Sequence, residues 1–584
     1  MIVAEALAPV VAFAARLKSC PFKAAVELCC GLSCLLPFAA LVCLTAPAQT
    51  KPTAIATPRA SSTSGYRIAG TVVNAATGDP VRGATVAALS EAESHTVASV
   101  ETGEDGRFAL AGLAAAKYQL TASRRGFRTA FYDEHDGYST AIVTGAGEDT
   151  DDLTFRLAPG GVIRGVVLTD GGDAVDDARV MLFKKAGAGR PGPRLSQADA
   201  TTTDDTGAYE FANLAPGEYA VAVAAEPWYA DNRAPKGKGP ATGDGADGNA
   251  ALDVAYPVTY FDSTTEEASA TPLVVTEGSR QEADITLHAV PALHIEVQTP
   301  RKADGSIARA ALGQTVFGAQ IAAVSSGLFD AMEGGTTEFR GVAPGQYELT
   351  QGDPPRIAEL DATTSQTVDP TLGAAAVTVS GILRPTAGPV PDTASVMLAP
   401  ADGSRRQSMI PGACFRGAFS FQGVPPGEWE IQMVNTRAPN ETHLSIVATT
   451  VDGATHAGNT ITVRDRPLMV LATVSQGTTE VQGFARKDGK GMSGVMVVLV
   501  PKNLGAMKTL ARRDQSDSDG SFSLRDVVPG SYTVVAIQDG WDLDWSQPVV
   551  IGRYLRPGIA VTVSDSSGKL LPLPEAVQVQ EPEP

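Results

Sequence analysis

One stretch near the C-terminus decides the fold: Asp519-Gly-Ser-Phe-Ser-Leu-Arg-Asp-Val-Val-Pro-Gly-Ser-Tyr-Thr-Val-Val-Ala536. Apolar residues two apart, such as Phe522 and Leu524, point to the same face of a strand. Asp-Gly marks a tight turn before that strand, and Pro-Gly marks another turn after it, because proline presets φ and glycine accepts positive φ. The stretch therefore predicts two strands joined by a turn, with Tyr532 opening the second strand.

The same pattern recurs along the chain, and internal repetition identifies repeat architectures. In each copy a glycine lies 12 residues before an aromatic residue; these pairs are Gly106 and Tyr118, Gly207 and Tyr219, Gly335 and Tyr347, Gly417 and Trp429, and Gly520 and Tyr532. About seven short strands in roughly 80–100 residues are typical of a β-sandwich. We therefore predict an all-β chain, a tandem array of about five antiparallel, immunoglobulin-like sandwiches, semi-extended as a rod.

The repeats set the domain boundaries. We predict a signal peptide at 1–48, a flexible linker at 49–65, five sandwich repeats at 66–158, 159–289, 290–373, 374–474 and 475–568, and a disordered tail at 569–584. The second repeat has long loops, and the third is divergent because its first strand, Leu293-His-Ile-Glu-Val297, lacks the glycine of the others. The tail is rich in proline and glutamate and shows no core-forming pattern.

Three of the repeats share a longer set of residues. These are Gly70-Thr-Val, Pro80-Val-Arg-Gly-Ala-Thr-Val86 and Asp105-Gly-Arg-Phe108 in the first repeat, Gly165-Val-Val and Thr206-Gly-Ala-Tyr-Glu-Phe211 in the second, and Gly483 and Asp519-Gly-Ser-Phe522 in the fifth. In these residues the chain resembles the carboxypeptidase regulatory-like domain, of the bacterial secreted type. The resemblance implies transthyretin-like sandwiches, and it implies an accessory domain rather than a catalytic one.

The sequence offers little material for catalysis. A zinc carboxypeptidase needs a His-x-x-Glu pair and a distant histidine, and none of the six histidines here has a glutamate three residues on. The net charge of −19 argues against a nucleic-acid partner, since such binding rests on cationic contacts with phosphate. We therefore predict a chain that is not an enzyme, uses no cofactor and binds no nucleic acid.

The N-terminal segment is typical of a secretory signal. An uncharged run at 28–44 follows basic residues and leads to Ala46-Pro-Ala48, a small-x-small cleavage pattern. Cleavage after Ala48 gives a secreted, periplasmic or cell-surface protein, whereas an uncleaved run at 28–44 would anchor the chain in a membrane. Five of the six cysteines lie in this segment, so the mature chain would keep only Cys414 and form no internal disulfide.

Four aromatic residues form the candidate ligand site. Trp541 and Trp545 follow the strand of Tyr532, and Trp228 and Tyr229 occupy the matching place in the second repeat. Aromatic rings beside carboxylates can stack on sugar rings. Large aromatics are also usually mostly buried, and here they could instead cap the open end of a sandwich.

An acidic stretch of the fifth repeat has two interpretations. Gln515, Asp517, Asp519, Gly520 and Asp526 match positions 1, 3, 5, 6 and 12 of a calcium-binding loop. The first position is not an aspartate and no flanking helices are predicted, so the alternative is an acidic β-turn.

These observations predict a non-catalytic, secreted or cell-envelope protein that acts as a structural or adhesive array. The expected partner is an extracellular protein or a polysaccharide. One alternative is carbohydrate binding through the loop aromatics. The other is an enzyme of the carboxypeptidase class or a function accessory to one, as the resemblance suggests.

Overall fold

The computed structural model describes residues 65–91, 95–148, 150–185, 195–230, 251–298, 310–322, 329–331, 336–352, 355–369, 371–390, 394–401, 409–435, 443–565 and 567–582. The predicted signal peptide, the run at 28–44 and nearly all of the predicted linker lie outside the described residues. All of the described residues belong to one compact unit.

Five sandwiches, here called modules 1 to 5, follow one another in these ranges. Module 1 contains β1 (Tyr66–Asn74), β2 (Thr85–Ser90), β3 (Thr96–Glu101), β4 (Arg107–Leu113), β5 (Lys117–Ser123), β6 (Ala130–Phe131), β7 (Ile142–Val143) and β8 (Leu153–Leu157). Module 2 contains β9 (Gly161–Thr169), β10 (Arg179–Lys185), β11 (Leu195–Thr202), β12 (Ala208–Leu214), β13 (Gly217–Ala224), β14 (Val254–Ala255), β15 (Thr259–Tyr260), β16 (Leu273–Val275), β17 (Arg280–Glu282), β18 (Ile285–Leu287) and β19 (Val290–Pro291).

The next two modules are built in the same way. Module 3 contains β20 (Leu293–Gln298), β21 (Ala311–Val316), β22 (Ala319–Ala322), β23 (Phe329–Ala331), β24 (Thr336–Val342), β25 (Gly345–Gln351), β26 (Arg356–Ala362), β27 (Gln366–Val368) and β28 (Ala374–Ala375). Module 4 contains β29 (Val377–Pro385), β30 (Ser395–Pro400), β31 (Ile410–Phe415), β32 (Ala418–Val424), β33 (Gly427–Val434), β34 (His443–Val451), β35 (Ala454–Ala457), β36 (Thr460–Val463) and β37 (Leu468–Gly477).

Module 5 also contains the helical segments of this half of the chain. Its strands are β38 (Thr479–Lys487), β39 (Lys490–Gly491), β40 (Met496–Pro501), β41 (Arg512–Gln515), β42 (Ser521–Val527), β43 (Gly530–Ile537), β44 (Ile559–Val563), β45 (Leu570–Pro572) and β46 (Val577–Gln580). Its α-helices are α1 (Met507–Leu510) and α2 (Pro548–Ile551). Within the described ranges, no helix is both long and apolar enough to cross a membrane.

Two sheets face each other across an apolar core, which confirms the predicted all-β sandwich class. In module 1 one sheet has the order β4-β1-β8, and the other has the order β3-β2-β5-β6 with β7 also paired to β5. The core between them contains Ile68, Phe108, Leu120 and Phe155, all buried. Each of the other modules has an apolar core cluster of its own.

The predicted antiparallel sandwiches each contain at least one parallel pair as well, which a late strand of the module forms. This strand pairs with the first strand of its module in parallel: β8 with β1, β18 with β9, β27 with β20, β37 with β29 and β45 with β38. A parallel pair requires a crossover connection rather than a hairpin. Because the chain crosses from one sheet back to the other before this late strand, the local turn signals of the sequence could not reveal its direction.

The repeated aromatic residue has the same structural function in all five modules. Its ring is buried, and its polar atom donates a hydrogen bond to the backbone carbonyl four residues earlier. These bonds run from Tyr118 to Ala114 (3.1 Å), Tyr219 to Ala215 (2.8 Å), Tyr347 to Ala343 (2.7 Å), Trp429 to Pro425 (3.0 Å) and Tyr532 to Val528 (2.9 Å). The bond fastens the preceding turn to the core; this turn is Pro-Gly in modules 2 to 5 and Ala115-Ala116 in module 1. The indole N–H of Trp429 replaces the tyrosine hydroxyl in module 4.

The repeated glycine has a conformational cause, which Gly520 illustrates. Its φ is +83°, a region that side chains disfavour. A Cβ atom at this position would also lie 2.7 Å from the carbonyl oxygen of Ala485. Glycine is therefore required both by the turn and by the close approach of β38.

The prediction that residues 569–584 form a disordered tail is wrong. Residues 570–572 and 577–580 form β45 and β46, and β46 pairs in parallel with both β38 and β43. Val577 is fully buried in the core of module 5. The alternation of apolar and polar residues in Val577-Gln-Val-Gln580 is typical of a strand. The surrounding proline- and glutamate-rich composition had instead indicated disorder.

Candidate functional site

Two of the predicted ligand-binding aromatics lie where module 5 contacts module 1. Trp541 stands in the 3₁₀ turn that follows β43 and is half-buried. Its ring stacks on His135 of module 1, with centroids 5.4 Å apart and planes 11° apart, and lies 5.9 Å from the ring of Tyr138. The first and last modules therefore touch, which corrects the expectation of a simple semi-extended rod.

Arg513, on the edge strand β41, lies at the centre of this contact. Its guanidinium carbon lies 4.9 Å from the ring centroid of Tyr138, 5.4 Å from that of Trp541 and 4.7 Å from that of Trp545. The guanidinium also forms an ion pair with Asp136 at 2.5 Å. Only 10% of the Arg513 side chain is exposed, so the charge is held by the carboxylate and by the faces of aromatic rings.

A seam of hydrogen bonds extends the contact along the edge of module 1. The side-chain amide of Gln515 donates to the carbonyl of Asp133 at 2.5 Å and to the hydroxyl of Thr140 at 2.8 Å. The amide of Ser518 donates to the carbonyl of Ala141 at 2.9 Å, beside β7. This turn of module 5 therefore covers a sheet edge whose backbone groups would otherwise be open.

Two further ion pairs join the modules. Lys117 lies 2.5 Å from Asp517, and Arg525 lies 2.6 Å from Glu91. Burial opposes the charge of Lys117, but the Asp517 carboxylate outweighs that effect and raises the pKa of Lys117. Burial raises the pKa of Asp517, and the Lys117 ammonium offsets this only in part.

Asp514 is a carboxylic acid that titrates near neutrality behind this seam. Its carboxyl group is surrounded by protein, although the residue as a whole is half-buried. Burial raises the pKa of Asp514 to about 7, against a backbone hydrogen bond from Ser523 at 2.6 Å. The nearby charges of Asp517 and Glu91 act in the same direction as burial.

The acidic stretch considered as a calcium loop takes part in the same contact. The Asp517 carboxylate accepts hydrogen bonds from Lys117 and from the amide of Ala141. Asp519 accepts from the amide and hydroxyl of Ser521, as in an acidic turn. In the part of the chain that the structure describes, no group of three His, Cys, Asp or Glu side chains is placed to hold a metal ion.

The other two predicted aromatics, Trp228 and Tyr229, belong to module 2. They follow β13 at the end of the sandwich, with rings edge-to-face and centroids 5.7 Å apart. Trp228 is 72% exposed, and Tyr229 hydrogen-bonds to Tyr256. Of the four predicted residues, Trp228 has by far the most open ring. Ligand binding at any of them stays a prediction.

The junctions between consecutive modules also use charged side chains. At the junction of modules 2 and 3, His294 hydrogen-bonds to Asp253 and Glu338, each at 2.9 Å. Burial opposes the charge of His294, but these two carboxylates outweigh it and raise its pKa. At the junction of modules 4 and 5, Lys508 pairs with Glu430 at 2.7 Å.

An apolar row on the outside of module 4 escaped the sequence interpretation. Phe415, Ala418 and Ile382 pair across β31, β32 and β29, so their side chains point to the same side. Phe415 is 71% exposed, and Met469 on the neighbouring β37 is also exposed. Ile382 and Met469 stand beside buried apolar residues, Leu383 for the first and Val470 for the second. The sequence therefore does not distinguish them from core residues, and only the strand pairing shows that they face outward.

Comparison with known families supports the sequence resemblance. Residues 67–158 and 162–239 match the family described as carboxypeptidase regulatory-like domain. Residues 476–551 match the family described as BOS complex subunit NOMO1-like, second beta sandwich domain. No protein of curated function matches the chain significantly.

Several solved structures show a general likeness. The Bacillus anthracis TIE protein is 10% identical, with 89% of this chain and 69% of that chain covered and a TM-score of 0.16. A Streptococcal ancillary pilin is 11% identical, with 52% and 98% covered and a TM-score of 0.18. A variant of the major pilin subunit of Bacillus cereus is 12% identical, with 72% and 99% covered and a TM-score of 0.14. At such TM-scores these likenesses carry no argument about function. The family match, in contrast, agrees with the motifs of modules 1 and 2, and these two modules are similar to the carboxypeptidase regulatory-like domain.

Proposed function

We propose that this chain is a non-catalytic, secreted or cell-envelope protein that acts as a structural or adhesive array of β-sandwiches. The observation that carries the proposal is that charged and titratable side chains lie at the contacts between modules. Arg513 with Asp136, Lys117 with Asp517, and His294 with Asp253 and Glu338 all join one module to another. These groups are engaged in holding modules together rather than grouped around a space for substrate.

A binding function is supported by the apolar row of module 4. An apolar surface that includes Phe415, Ile382 and Met469 and faces outward is typical of contact with another protein. The proposed location outside the cytoplasm is supported by the signal-like pattern at 28–48 and by the single cysteine, Cys414, that would remain after cleavage.

The test is a pull-down of the purified chain with isolated cell-envelope fractions, compared with the Phe415→Ser variant. We expect saturable binding to a protein component of the envelope, weakened at least tenfold by Phe415→Ser. Val549→Ser, at a residue of similar exposure in module 5, is the matched control and should bind as the unmodified chain does. Peptide hydrolysis that a chelator abolishes, measured on the same sample, would instead support an enzyme of the carboxypeptidase class.

A second candidate function is carbohydrate binding, which the exposed ring of Trp228 favours. A bare indole at the end of a sandwich offers an apolar face for a sugar ring. In a pull-down on insoluble polysaccharides and peptidoglycan, we expect Trp228→Ala and Tyr229→Ala to abolish binding. Loss on Trp541→Ala or Trp545→Ala instead would place the glycan site in module 5. No binding to any glycan would exclude this second function.

A further inference from the structure

We propose that the contact between modules 1 and 5 can be exchanged between two copies of this chain. In the exchanged dimer, module 1 of each copy docks on module 5 of the other. The occupant of each face is then a second copy of the same chain, and both contacts keep the geometry found within one chain. The proposal does not depend on which partner or glycan the array binds.

The two faces cannot be left open without a loss. The side chains of Arg513 and Asp517 are only 10% and 11% exposed, and each is paired with a residue of module 1. Separating the modules breaks both ion pairs and removes the ring of Tyr138 from the Arg513 guanidinium. It also uncovers the backbone edge beside β7, and open edges recruit another chain.

The faces are complementary to each other. Module 1 supplies Glu91, Lys117 and Asp136, and these meet Arg525, Asp517 and Arg513 of module 5 respectively. Each of the three charges on one face meets the opposite charge on the other face. The module 1 face is therefore complementary to a module 5 face, whether from its own chain or from a second one.

The connection between modules 1 and 2 allows module 1 to leave without unfolding. Only residues 158–160, Ala-Pro-Gly, separate the end of β8 from the start of β9. The cores on either side are separate clusters. A reciprocal dimer fills all four faces, whereas an open chain of copies leaves one face free at each end.

Concentration decides which form dominates in the unmodified chain. Two faces joined through one chain meet at an effective concentration on the order of millimolar. At micromolar concentration we therefore expect the closed monomer. Exchange becomes measurable when the contact within one chain is disabled while the contact between two chains is kept.

Two charge-reversal variants achieve this separation. In the Lys117→Glu variant, two negative charges face each other at positions 117 and 517. In the Asp517→Lys variant, two positive charges face each other there. In each variant the like charges at this pair oppose both closure within the chain and pairing with its own kind. A mixture of the two restores opposite charges at both contacts of an exchanged dimer, one native and one reversed.

The experiment is sedimentation velocity on each variant, on the 1:1 mixture and on the double variant in one chain. We expect monomers from each variant alone, a species of twice the mass from the mixture, and a closed monomer from the double variant. A mixture that stays monomeric overturns the proposal, and so does a dimer formed equally well by either variant alone.

A second set of variants, at a more exposed pair, keeps the test valid if the first variants do not fold. Glu91→Arg and Arg525→Glu follow the same logic at the contact of those two residues, and far-UV circular dichroism checks that each variant is folded. The matched control is Arg67→Glu mixed with Asp151→Arg, an exposed pair within module 1. That mixture should stay monomeric, and a control dimer would overturn the assignment of exchange to this contact.

Discussion

Arg513 of module 5 and Asp136 of module 1 form an ion pair at 2.5 Å, although they lie 377 residues apart in the chain. The pair is mostly buried and is surrounded by the rings of Tyr138, Trp541 and Trp545. Because it joins the first module to the last, the five sandwiches are not structurally independent domains. The stability of the end modules is expected to depend on this contact.

Replacing Asp136 by asparagine should weaken the docking of module 1. The variant leaves the buried guanidinium of Arg513 without its carboxylate, and loss of one partner of a buried pair is unfavourable by about 3 kcal/mol. The amide of Ser518, which donates to the carbonyl of Ala141 across the contact, reports the opening. Its hydrogen exchange should become roughly a hundredfold faster.

Asp151→Asn is the matched control for this measurement. Asp151 pairs with Arg67 within module 1, and about half of each side chain is exposed. Exposed pairs contribute less than about 1 kcal/mol, so exchange at Ser518 should be unchanged. Equal acceleration by both variants would mean that the pair of Asp136 and Arg513 is not what holds the contact.

Asp514 should make the stability of the protein depend on pH. Its pKa of about 7 in the folded chain lies above the value of about 3.9 for an unfolded aspartate. Between these values the folded state keeps a proton that the unfolded state releases. The stabilising contribution is therefore present in full below about pH 4 and is lost as the pH rises to 7, by up to about 1.4 kcal/mol per pH unit.

The variant Asp514→Asn should flatten this dependence, because asparagine stays neutral throughout. Urea unfolding at pH 5 and pH 7.5 measures it, with the difference between the two midpoints smaller in the variant than in the unmodified chain. Burial also raises the pKa of Asp517, so part of the slope should remain. An unchanged slope would show that Asp514 does not titrate in this range.

The repeats were predictable because their signals are local. The turn at Gly520 and the buried ring of Tyr532 lie 12 residues apart, and each sits where the conformation or the core requires it. The contact of Arg513 with module 1 had no such signal, since charge complementarity between distant loops has no period. Of the candidate site, the aromatics at 541 and 545 were found and the arginine between them was missed.

The repeated hydrogen bond of the aromatic residue can be tested with Tyr532→Phe. The variant keeps the buried ring but removes the donor, which leaves the carbonyl of Val528 without the bond it receives at 2.9 Å. An unsatisfied buried acceptor reduces stability by about 1–3 kcal/mol. Faster hydrogen exchange along β43 would report the effect, with Tyr66→Phe in module 1 as a control that leaves β43 unchanged. A variant as stable as the unmodified chain would mean that burial of the ring alone explains the repeat.

The C-terminal strand β46 contributes to the stability of module 5, although the sequence did not predict it as a strand. Val577 is fully buried between β38 and β43, whereas its neighbour Gln578 is exposed. Val577→Ala should therefore reduce the stability of module 5 by about 2 kcal/mol, from lost burial and the cavity left behind. Gln578→Ala should change it by less than about 0.5 kcal/mol, as for most surface positions. Hydrogen exchange of the β43 amides measures both effects. If removal of residues 574–584 left these amides as protected as in the full chain, the strand would be dispensable and the tail would contribute nothing to the core.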